Sequence, residues 1–151
     1  TVTRRRTGTR RTVETTYVWD GGRRLIISGY PGKRDWVASM AAHPELTVHT
    51  VEGDVWYDIR GRARVLQHRD ERLPHLLRFI EHWAQRPGYP RWQISMILGV
   101  LRVHRALRLP WWGPFSVARR TLDRMPCVEI ELLGEPVERA AGPPPRAVSA
   151  G

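Results

Sequence analysis

Hydrophobic and polar residues alternate along several short stretches of the chain, which is the pattern of strands with one buried face. In residues 12–19 every second residue is β-branched or aromatic. Asp20-Gly21-Gly22 then predicts a hairpin turn, and Leu25 to Ser28 is a second apolar strand. The pattern therefore predicts an antiparallel pair at the start of the fold.

Further along the chain, the same periodicities predict two helices and three more strands. In chain order these are a helix over Lys33–His43, strands over Leu46–Val51 and Val55–Leu66, a helix over 69–85 and a last strand over Val128–Leu133. Gly61 interrupts the long fourth strand, which is typical of a bulge or of the bend that closes a barrel. Tight turns between strands and this bend predict an α+β fold with an antiparallel barrel and flanking helices.

Three parts of the chain lie outside this regular pattern. Residues 1–11 form a basic N-terminal arm without apolar periodicity, and their composition alone predicts a flexible segment. Residues 12–139 form the barrel domain, with a helical insert over 87–126. The proline-rich residues 140–151 predict a disordered tail.

The insert contains a stretch, residues 94–101, that is apolar on every side and is followed by arginines and paired tryptophans. It is too short to span a bilayer, which needs about 20 residues. We consider three roles for it: a helix packed over the barrel or in a homodimer interface, a lid over a hydrophobic substrate, and a peripheral membrane contact through 94–112.

The balance of charges limits the choice of partners. Lys and Arg total 25 against 15 Asp and Glu, which gives a net charge of +10. Such a protein attracts nucleic acid, an acidic membrane or a polyanionic cofactor. Cys127 is the single cysteine, so an intrachain disulfide and a cysteine-based metal site are excluded, and we expect a cytoplasmic protein.

Motifs that carry their own chemistry are absent from the sequence. It has no His-Glu-x-x-His metal motif, no Gly-x-Ser-x-Gly elbow, no phosphate-binding Walker loop and no Gly-x-Gly-x-x-Gly fingerprint, and its histidines lack ligand spacing. We therefore expect no metal site, and we expect a bound organic cofactor to carry any reaction.

Two segments have residue types that suit an anionic cofactor. Residues 4–12 combine guanidinium groups with a glycine and threonine hydroxyls, which suit phosphate or carboxylate oxygens. Residues 28–36 run from a strand end through a glycine loop into a helix start, where backbone N–H groups and the helix dipole favour an anion.

The order of these segments carries a resemblance to a known family. Its motifs are Thr7-Gly8-Thr9-Arg10-Arg11 before the first strand, Ser28-Gly29-Tyr30-Pro31-Gly32 after the second, the helix with Trp36 that ends at His43-Pro44, and Arg62-Ala63-Arg64-Val65. Together they resemble the deazaflavin-dependent nitroreductase and quinone-reductase family of the flavin-binding split-barrel superfamily. The resemblance covers roughly residues 3–86 and the last strand.

The resemblance implies a pyridoxamine-phosphate-oxidase-like split β-barrel that binds coenzyme F420. It implies an oxidoreductase that transfers hydride from the reduced deazaflavin to a quinone, nitroaromatic or enone-type acceptor. The candidate catalytic residues, as contacts to the acceptor, are Ser28, Tyr89 and Trp92. The implied cofactor-binding residues are Thr7, Arg10, Arg11, Ser28, Gly29, Tyr30, Gly32, Lys33, Arg34 and Trp36.

The sequence leaves alternatives open at the level of ligand and activity. FMN is the alternative cofactor, and a non-catalytic carrier of the cofactor is an alternative to an enzyme. A basic barrel with interleaved aromatic residues also suits single-stranded nucleic acid. We expect a small hydrophobic acceptor and no nucleic acid as partner, because most aromatics occupy apolar-face positions and the arginines are spread along the chain.

Overall fold

The computed structural model describes residues 1–29, 31–84, 91–107 and 116–145. Within these residues strands and helices alternate in an α+β order. The strands are β1 (Val2–Thr3), β2 (Arg10–Arg11), β3 (Thr16–Trp19), β4 (Arg24–Ser28), β5 (Glu45–Glu52), β6 (Val55–Val65), β7 (Cys127–Leu132) and β8 (Val137–Glu138), and the helices are α1 (Asp35–Ala42), α2 (Arg69–Ala84), α3 (Arg91–Ala106) and α4 (Ser116–Arg124).

Six strands form one antiparallel sheet that curls into a half-barrel. The order across the sheet is β3-β4-β7-β6-β5, and β8 pairs with a different part of β6. The prediction of an antiparallel α+β fold is therefore confirmed. The closing strand, β7, lies between β4 and β6 and joins the first hairpin to the second.

Strand β3 is shorter than the alternating pattern predicts. Its pairing with β4 ends at the partners Thr16 and Ser28, because β4 itself stops at Ser28. Residues 12–15 have no strand to pair with there and connect β2 to β3 outside the sheet. All four line a cavity on the concave side of the sheet.

Residues 1–11 form a hairpin, β1–β2, instead of the flexible segment that their composition predicts. Val2 is only 4% exposed and belongs to the main hydrophobic core. The backbones of Thr1 and Thr47 exchange hydrogen bonds, which attach the hairpin to β5. Gly8 turns the chain between the strands with a φ of 68°. One apolar side chain and backbone pairing to a distant strand therefore order this basic segment.

Gly61 lies where β6 changes its neighbour. Up to Asp58 the strand pairs with β8, and from Gly61 onward it pairs with β7. A Cβ atom at Gly61 would lie 3.0 Å from Cγ2 of Ile130 and 3.1 Å from Cδ1 of Leu46. Glycine is needed here because two neighbouring side chains approach the backbone closely.

Two hydrophobic clusters lie on the two faces of the sheet. The first lies on the concave side and includes Trp36 and Met40 of α1, which packs against β1 and β6. The second lies under α2 and α4 and includes Leu76 and Cys127. The concave side is the one on which α1 and the β1–β2 hairpin meet.

Helices α3 and α4 lie within the predicted insert, and α3 packs against α2. Among the described helices, none is long and apolar enough to cross a membrane. The rest of the insert and the last part of the tail, residues 85–90, 108–115 and 146–151, lie outside the described residues.

Candidate functional site

The β1–β2 hairpin meets the start of α1 through its turn and through β2. Nε of Arg5 lies 3.4 Å from Oδ1 of Asp35, and Nη1 of Arg11 lies 3.9 Å from Oδ2 of the same residue. Asp35 is the first residue of α1 and directly follows Lys33 and Arg34. The two basic segments of the sequence therefore meet around one carboxylate.

We refer to this group as the basic cluster and define it as the two arginines that contact Asp35, the two cations that directly precede Asp35, and Arg4, which directly precedes Arg5. Its members are Arg4, Arg5, Arg11, Lys33 and Arg34.

A backbone contact attaches the hairpin tip to the side of α1. The N–H of Arg5 donates to Oγ of Ser39 over 3.4 Å, and Ser39 is only 2% exposed. The position of the hairpin is thus set by a buried hydroxyl as well as by the ion pairs with Asp35.

The start of α1 offers donors of its own. Arg34 is the N-cap residue, and its side chain makes no capping hydrogen bond to the helix. The first-turn N–H groups and the helix dipole favour a negative charge at this end, where Asp35 already lies. Guanidinium groups and helix N–H groups together are the donor set that binds phosphate and carboxylate oxygens.

Arg4 contributes a donor without a partner. Its Nε is buried and has no hydrogen-bond partner among the described residues. A buried polar atom normally has a partner, so this nitrogen indicates a place where a bound group can add one.

Ser28 lies at the end of β4, inside the fold. It is 1% exposed, and its hydroxyl donates to the carbonyl oxygen of Pro126 over 2.6 Å. This hydrogen bond fixes the end of β4 to the segment that enters β7. The predicted contact of Ser28 with an acceptor stays a prediction.

The glycine loop that follows Ser28 is held at two points. A Cβ atom at Gly29 would lie 3.9 Å from Cζ2 of Trp36, so the indole packs directly beneath the loop. The N–H of Gly32 donates to the carbonyl oxygen of Arg124 over 2.9 Å, and Gly32 has a φ of 127° that favours glycine. Sequence reasoning did not find the contact from Arg124, because α4 is distant in the chain. Tyr30 lies outside the described residues.

Other predicted residues lie apart from Asp35. Thr7 is at the exposed hairpin tip, where its hydroxyl contacts that of Thr9 at 2.8 Å. Arg10 directs Nη2 to Oγ1 of Thr47 on β5, at 3.4 Å. Trp92 lies on α3 with 69% of its surface exposed. Tyr89 lies outside the described residues.

A cavity of about 580 Å³ occupies the concave side of the half-barrel. Its walls are mostly apolar and include the aromatic side chains of Tyr17, Trp19 and Trp56. Residues 143–145 of the tail also line it, although composition predicts a disordered tail. The base of the β1–β2 hairpin forms one wall, through Thr1, Val2, Thr12 and Val13.

A chain of polar side chains, which we call the relay, crosses this wall. Oγ1 of Thr1 lies 2.7 Å from Nε2 of His49, whose Nδ1 lies 2.6 Å from Oδ1 of Asp58. Nη1 of Arg139 donates to the other oxygen of Asp58 over 2.9 Å. Oγ1 of Thr12 is 3.0 Å from that of Thr1. The relay consists of Thr12, Thr1, His49, Asp58 and Arg139.

The relay has defined charges at neutral pH. Burial lowers the pKa of His49 and outweighs the hydrogen bond to Asp58, which acts in the opposite direction. Burial alone would raise the pKa of Asp58, but hydrogen bonds from His49 and Arg139 hold it below its usual range. His49 is therefore neutral and Asp58 is ionised.

Sequence reasoning missed the relay, although one of its links has a local signal. The predicted strands Leu46–Val51 and Val55–Leu66 place His49 opposite Tyr57, one residue from Asp58, which is its partner in the observed register. The other links join positions at opposite ends of the chain, Thr1 and Arg139, and no local pattern indicates them.

No family model, curated protein or solved structure matches this chain. The function must therefore be argued from its own residues. Among the described residues, no group of three or more His, Cys, Asp or Glu is placed to hold a metal ion. The arrangement offers two places for a ligand: a cationic surface that suits an anion, and an apolar cavity with one polar corner.

Proposed function

We propose that this protein is a split-barrel oxidoreductase that holds coenzyme F420 at the basic cluster and passes hydride to a quinone, nitroaromatic or enone-type acceptor. The observation that carries the proposal is the contact of Asp35 with both Arg5 and Arg11, because it joins two basic segments of the sequence at one helix start. The curled antiparallel half-barrel supports the finer assignment of a split barrel.

The residues of the basic cluster fit the acidic groups of this cofactor. Arg5 and Arg11 each have one contact to Asp35 at a distance longer than a good hydrogen bond, so a phosphate or carboxylate can compete for them. The orphaned Nε of Arg4 supplies a further donor. The bound deazaflavin would supply the hydride chemistry, which the side chains lack.

The loop after β4 suits the ring portion of such a cofactor. Gly29 has no side chain, and Trp36 supports it from below, so a flat ring can approach the loop backbone. The hydrogen bonds from Ser28 to Pro126 and from Gly32 to Arg124 would hold this loop in place during binding. Ser28, Tyr89 and Trp92 remain our candidates for contacts to the acceptor.

Deazaflavin is preferred to FMN because of the number of arginines on the hairpin. A polyglutamyl tail carries several carboxylates, and each can pair with a guanidinium group. Beyond Arg5 and Arg11, the hairpin carries Arg4, Arg6 and Arg10. FMN, with one phosphate, leaves most of these without a role.

The direct test is a titration of the purified protein with F420, FMN and single-stranded DNA, followed by tryptophan fluorescence. We expect F420 to bind at micromolar concentration or tighter, and Arg11→Ala to weaken this binding. Arg23→Ala is the matched control, because Arg23 is exposed and pairs with a carboxylate, Glu135, at the far end of β4. Failure of both F420 and FMN to bind, with salt-dependent binding of DNA, would contradict the proposal.

Activity is tested separately with reduced F420 and a quinone such as menadione. Oxidation of the cofactor that depends on both quinone and protein supports an enzyme. Tight binding without turnover over several acceptor classes would instead indicate a carrier of the cofactor.

A second proposal concerns the location of the protein in the cell. Trp92, Met96 and Val103 of α3 and Leu107 just after it are all more than half exposed. At 100° per residue these positions fall within about 60° around the helix axis. We propose that this apolar stripe touches the surface of an anionic membrane, which the basic protein attracts.

Sedimentation with lipid vesicles tests the membrane contact. We expect binding to vesicles that contain phosphatidylglycerol and weaker binding to pure phosphatidylcholine. Trp92→Ser with Met96→Ser should abolish it, whereas Leu133→Ser, at an exposed apolar residue after β7, should not. Equal binding of both variants would contradict the role of α3.

A further inference from the structure

The relay forms the polar corner of the cavity, and the donor and acceptor of each of its hydrogen bonds can be assigned. Asp58 is ionised, so the ring nitrogen of His49 that faces it carries the proton. The other ring nitrogen, Nε2, is then an acceptor and takes the single hydroxyl proton of Thr1. The direction of every hydrogen bond along the relay is fixed from the Asp58 end.

The donor and acceptor in the contact between Thr1 and Thr12 can be assigned in the same way. Thr1 has given its proton to His49, so in the contact at 3.0 Å the hydroxyl of Thr12 must be the donor. Oγ1 of Thr1 has two lone pairs and uses one of them for Thr12. One acceptor position on Thr1 remains for another group, and no hydroxyl proton of the pair remains to be donated.

The walls around this corner define the shape of a ligand. Tyr17 and Trp19 line the cavity from the edge strand β3, and both are about half exposed, at 51% and 49%. Trp56 lines it from β6. Aromatic side chains bind flat rings by stacking or edge contacts. A volume of about 580 Å³ lies within the usual range for small-molecule sites.

We propose that this cavity is a second ligand site, for a flat aromatic alcohol whose O–H donates to Oγ1 of Thr1 while its ring packs against Tyr17 and Trp19. A ligand of the phenol class supplies the donor that the Thr1–Thr12 hydroxyl pair lacks and the apolar ring that the walls accept. A carbonyl or carboxylate oxygen finds no donor on this hydroxyl pair and is disfavoured there. The proposal does not depend on the identity of the cofactor at the basic cluster.

The test compares two probes of nearly equal shape, 2-naphthol and 2-methoxynaphthalene, by calorimetry and by quenching of tryptophan fluorescence. Only the first probe has a hydroxyl proton. We expect 2-naphthol to bind about tenfold more tightly, which is the usual size of one net hydrogen bond. Equal binding of the two probes to the unmodified protein would overturn the proposal without the need for any variant.

Thr1→Val then locates the hydrogen bond. This substitution keeps the shape and removes the hydroxyl, so the preference for 2-naphthol should fall to about twofold or less. Thr50→Val is the matched control, because Thr50 lines the same cavity outside the relay, and it should keep the preference. A preference that survives Thr1→Val, or that Thr50→Val removes, would overturn the assignment to Thr1.

A second copy of the chain is the competing occupant, because Tyr17 and Trp19 lie on an edge strand. Sedimentation analysis identifies this case. A dimer that binds neither probe would show that the cavity is an interface, and a monomer that binds neither would show that it takes no such ligand. Both outcomes would overturn the proposal.

Discussion

The two ends of the β1–β2 hairpin meet different surroundings. At the tip, Nε of Arg5 lies 3.4 Å from Oδ1 of Asp35, and the two side chains are 42% and 56% exposed. At the base, the relay contacts of His49 measure 2.6 and 2.7 Å, and its side chain is only 10% exposed. Long, exposed ion pairs contribute little to stability and exchange readily for a ligand. Short, shielded hydrogen bonds cost more to break.

This difference predicts that the tip determines the affinity for an anion and that the base contributes to the stability of the fold. We expect substitutions at the tip to change the affinity for an anion and leave the fold intact. We expect substitutions at the base to change the free energy of unfolding and leave that affinity intact.

The largest effect should come from removing both arginines that contact Asp35. Arg5→Ala with Arg11→Ala is expected to weaken the binding of F420 by about 100-fold, because a charge-assisted hydrogen bond contributes about 1.5–3 kcal/mol. Arg5→Ala alone should change the free energy of unfolding in urea by less than about 1 kcal/mol, because its ion pair is exposed. Unchanged affinity in the double variant, or a large loss of stability in Arg5→Ala, would remove the distinction between tip and base.

The second-largest effect should come from replacing His49 at the base of the hairpin. His49→Gln should lower the free energy of unfolding by about 1–3 kcal/mol, because Asp58 and Thr1 each lose a partner. His75→Gln is the control: His75 also faces a carboxylate, Asp20, but at 3.8 Å, and should cost less than about 1 kcal/mol. F420 should bind both variants as it binds the unmodified protein. Equal stability of the two variants would contradict the account of the relay.

Salt should weaken ligand binding at the basic cluster and leave ligand binding in the cavity nearly unchanged. Raising sodium chloride from about 50 mM to about 500 mM shortens the screening length and should weaken binding of F420 by about tenfold. Binding of 2-naphthol, which is neutral, should change by less than about twofold. Parallel calorimetric titrations at the two concentrations measure both, and a similar salt dependence for the two ligands would contradict separate sites.

The smallest effect is a dependence of stability on pH. The groups that face His49 are Asp58, Arg139 and the amino group of Thr1, and the folded state lowers the pKa of His49 below its usual 6.5. The unfolded chain therefore binds the proton first, so the stability that depends on neutral His49 is complete above about pH 6.5 and falls as the pH drops below it. Burial lowers the pKa of the Thr1 amino group from 8.0 to about 6, which adds a loss of the same sign that begins near pH 8. Asp58, whose pKa is also lowered, adds a further loss below its usual 3.8.

Urea unfolding between pH 7.5 and pH 5 measures the losses from His49 and from the Thr1 amino group together, and each is limited to about 1.4 kcal/mol per pH unit for one proton. In His49→Gln the decline over this range should become shallower. An identical decline in the variant would show that His49 keeps its ordinary pKa in the folded protein.

Sequence reasoning predicted those features of the fold that local pattern determines. The β5–β6 hairpin follows from the two neighbouring strand patterns over Leu46–Val51 and Val55–Leu66, and its observed bounds differ from the predicted ones by about a residue. The two basic segments were found because their residue types are contiguous. Their meeting at Asp35 depends on where α1 packs, which no local pattern states.

The features that the sequence did not predict all depend on contacts between residues far apart in the chain. The β1–β2 hairpin depends on the burial of Val2 and on backbone pairing with Thr47, both of which are long-range. The relay depends on strands from opposite ends of the chain, joined through Thr1 and Arg139. Polar residues in such a network look like ordinary surface residues in a sequence.

The most direct test of the central claim is a nuclear magnetic resonance titration of the isotope-labelled protein with F420. We predict that the backbone amides of Arg5, Arg11, Gly29 and Asp35 shift together with one dissociation constant, while those of His49 and Asp58 stay in place. Shifts confined to the cavity, or spread over the basic surface without saturation, would contradict a cofactor site at the basic cluster.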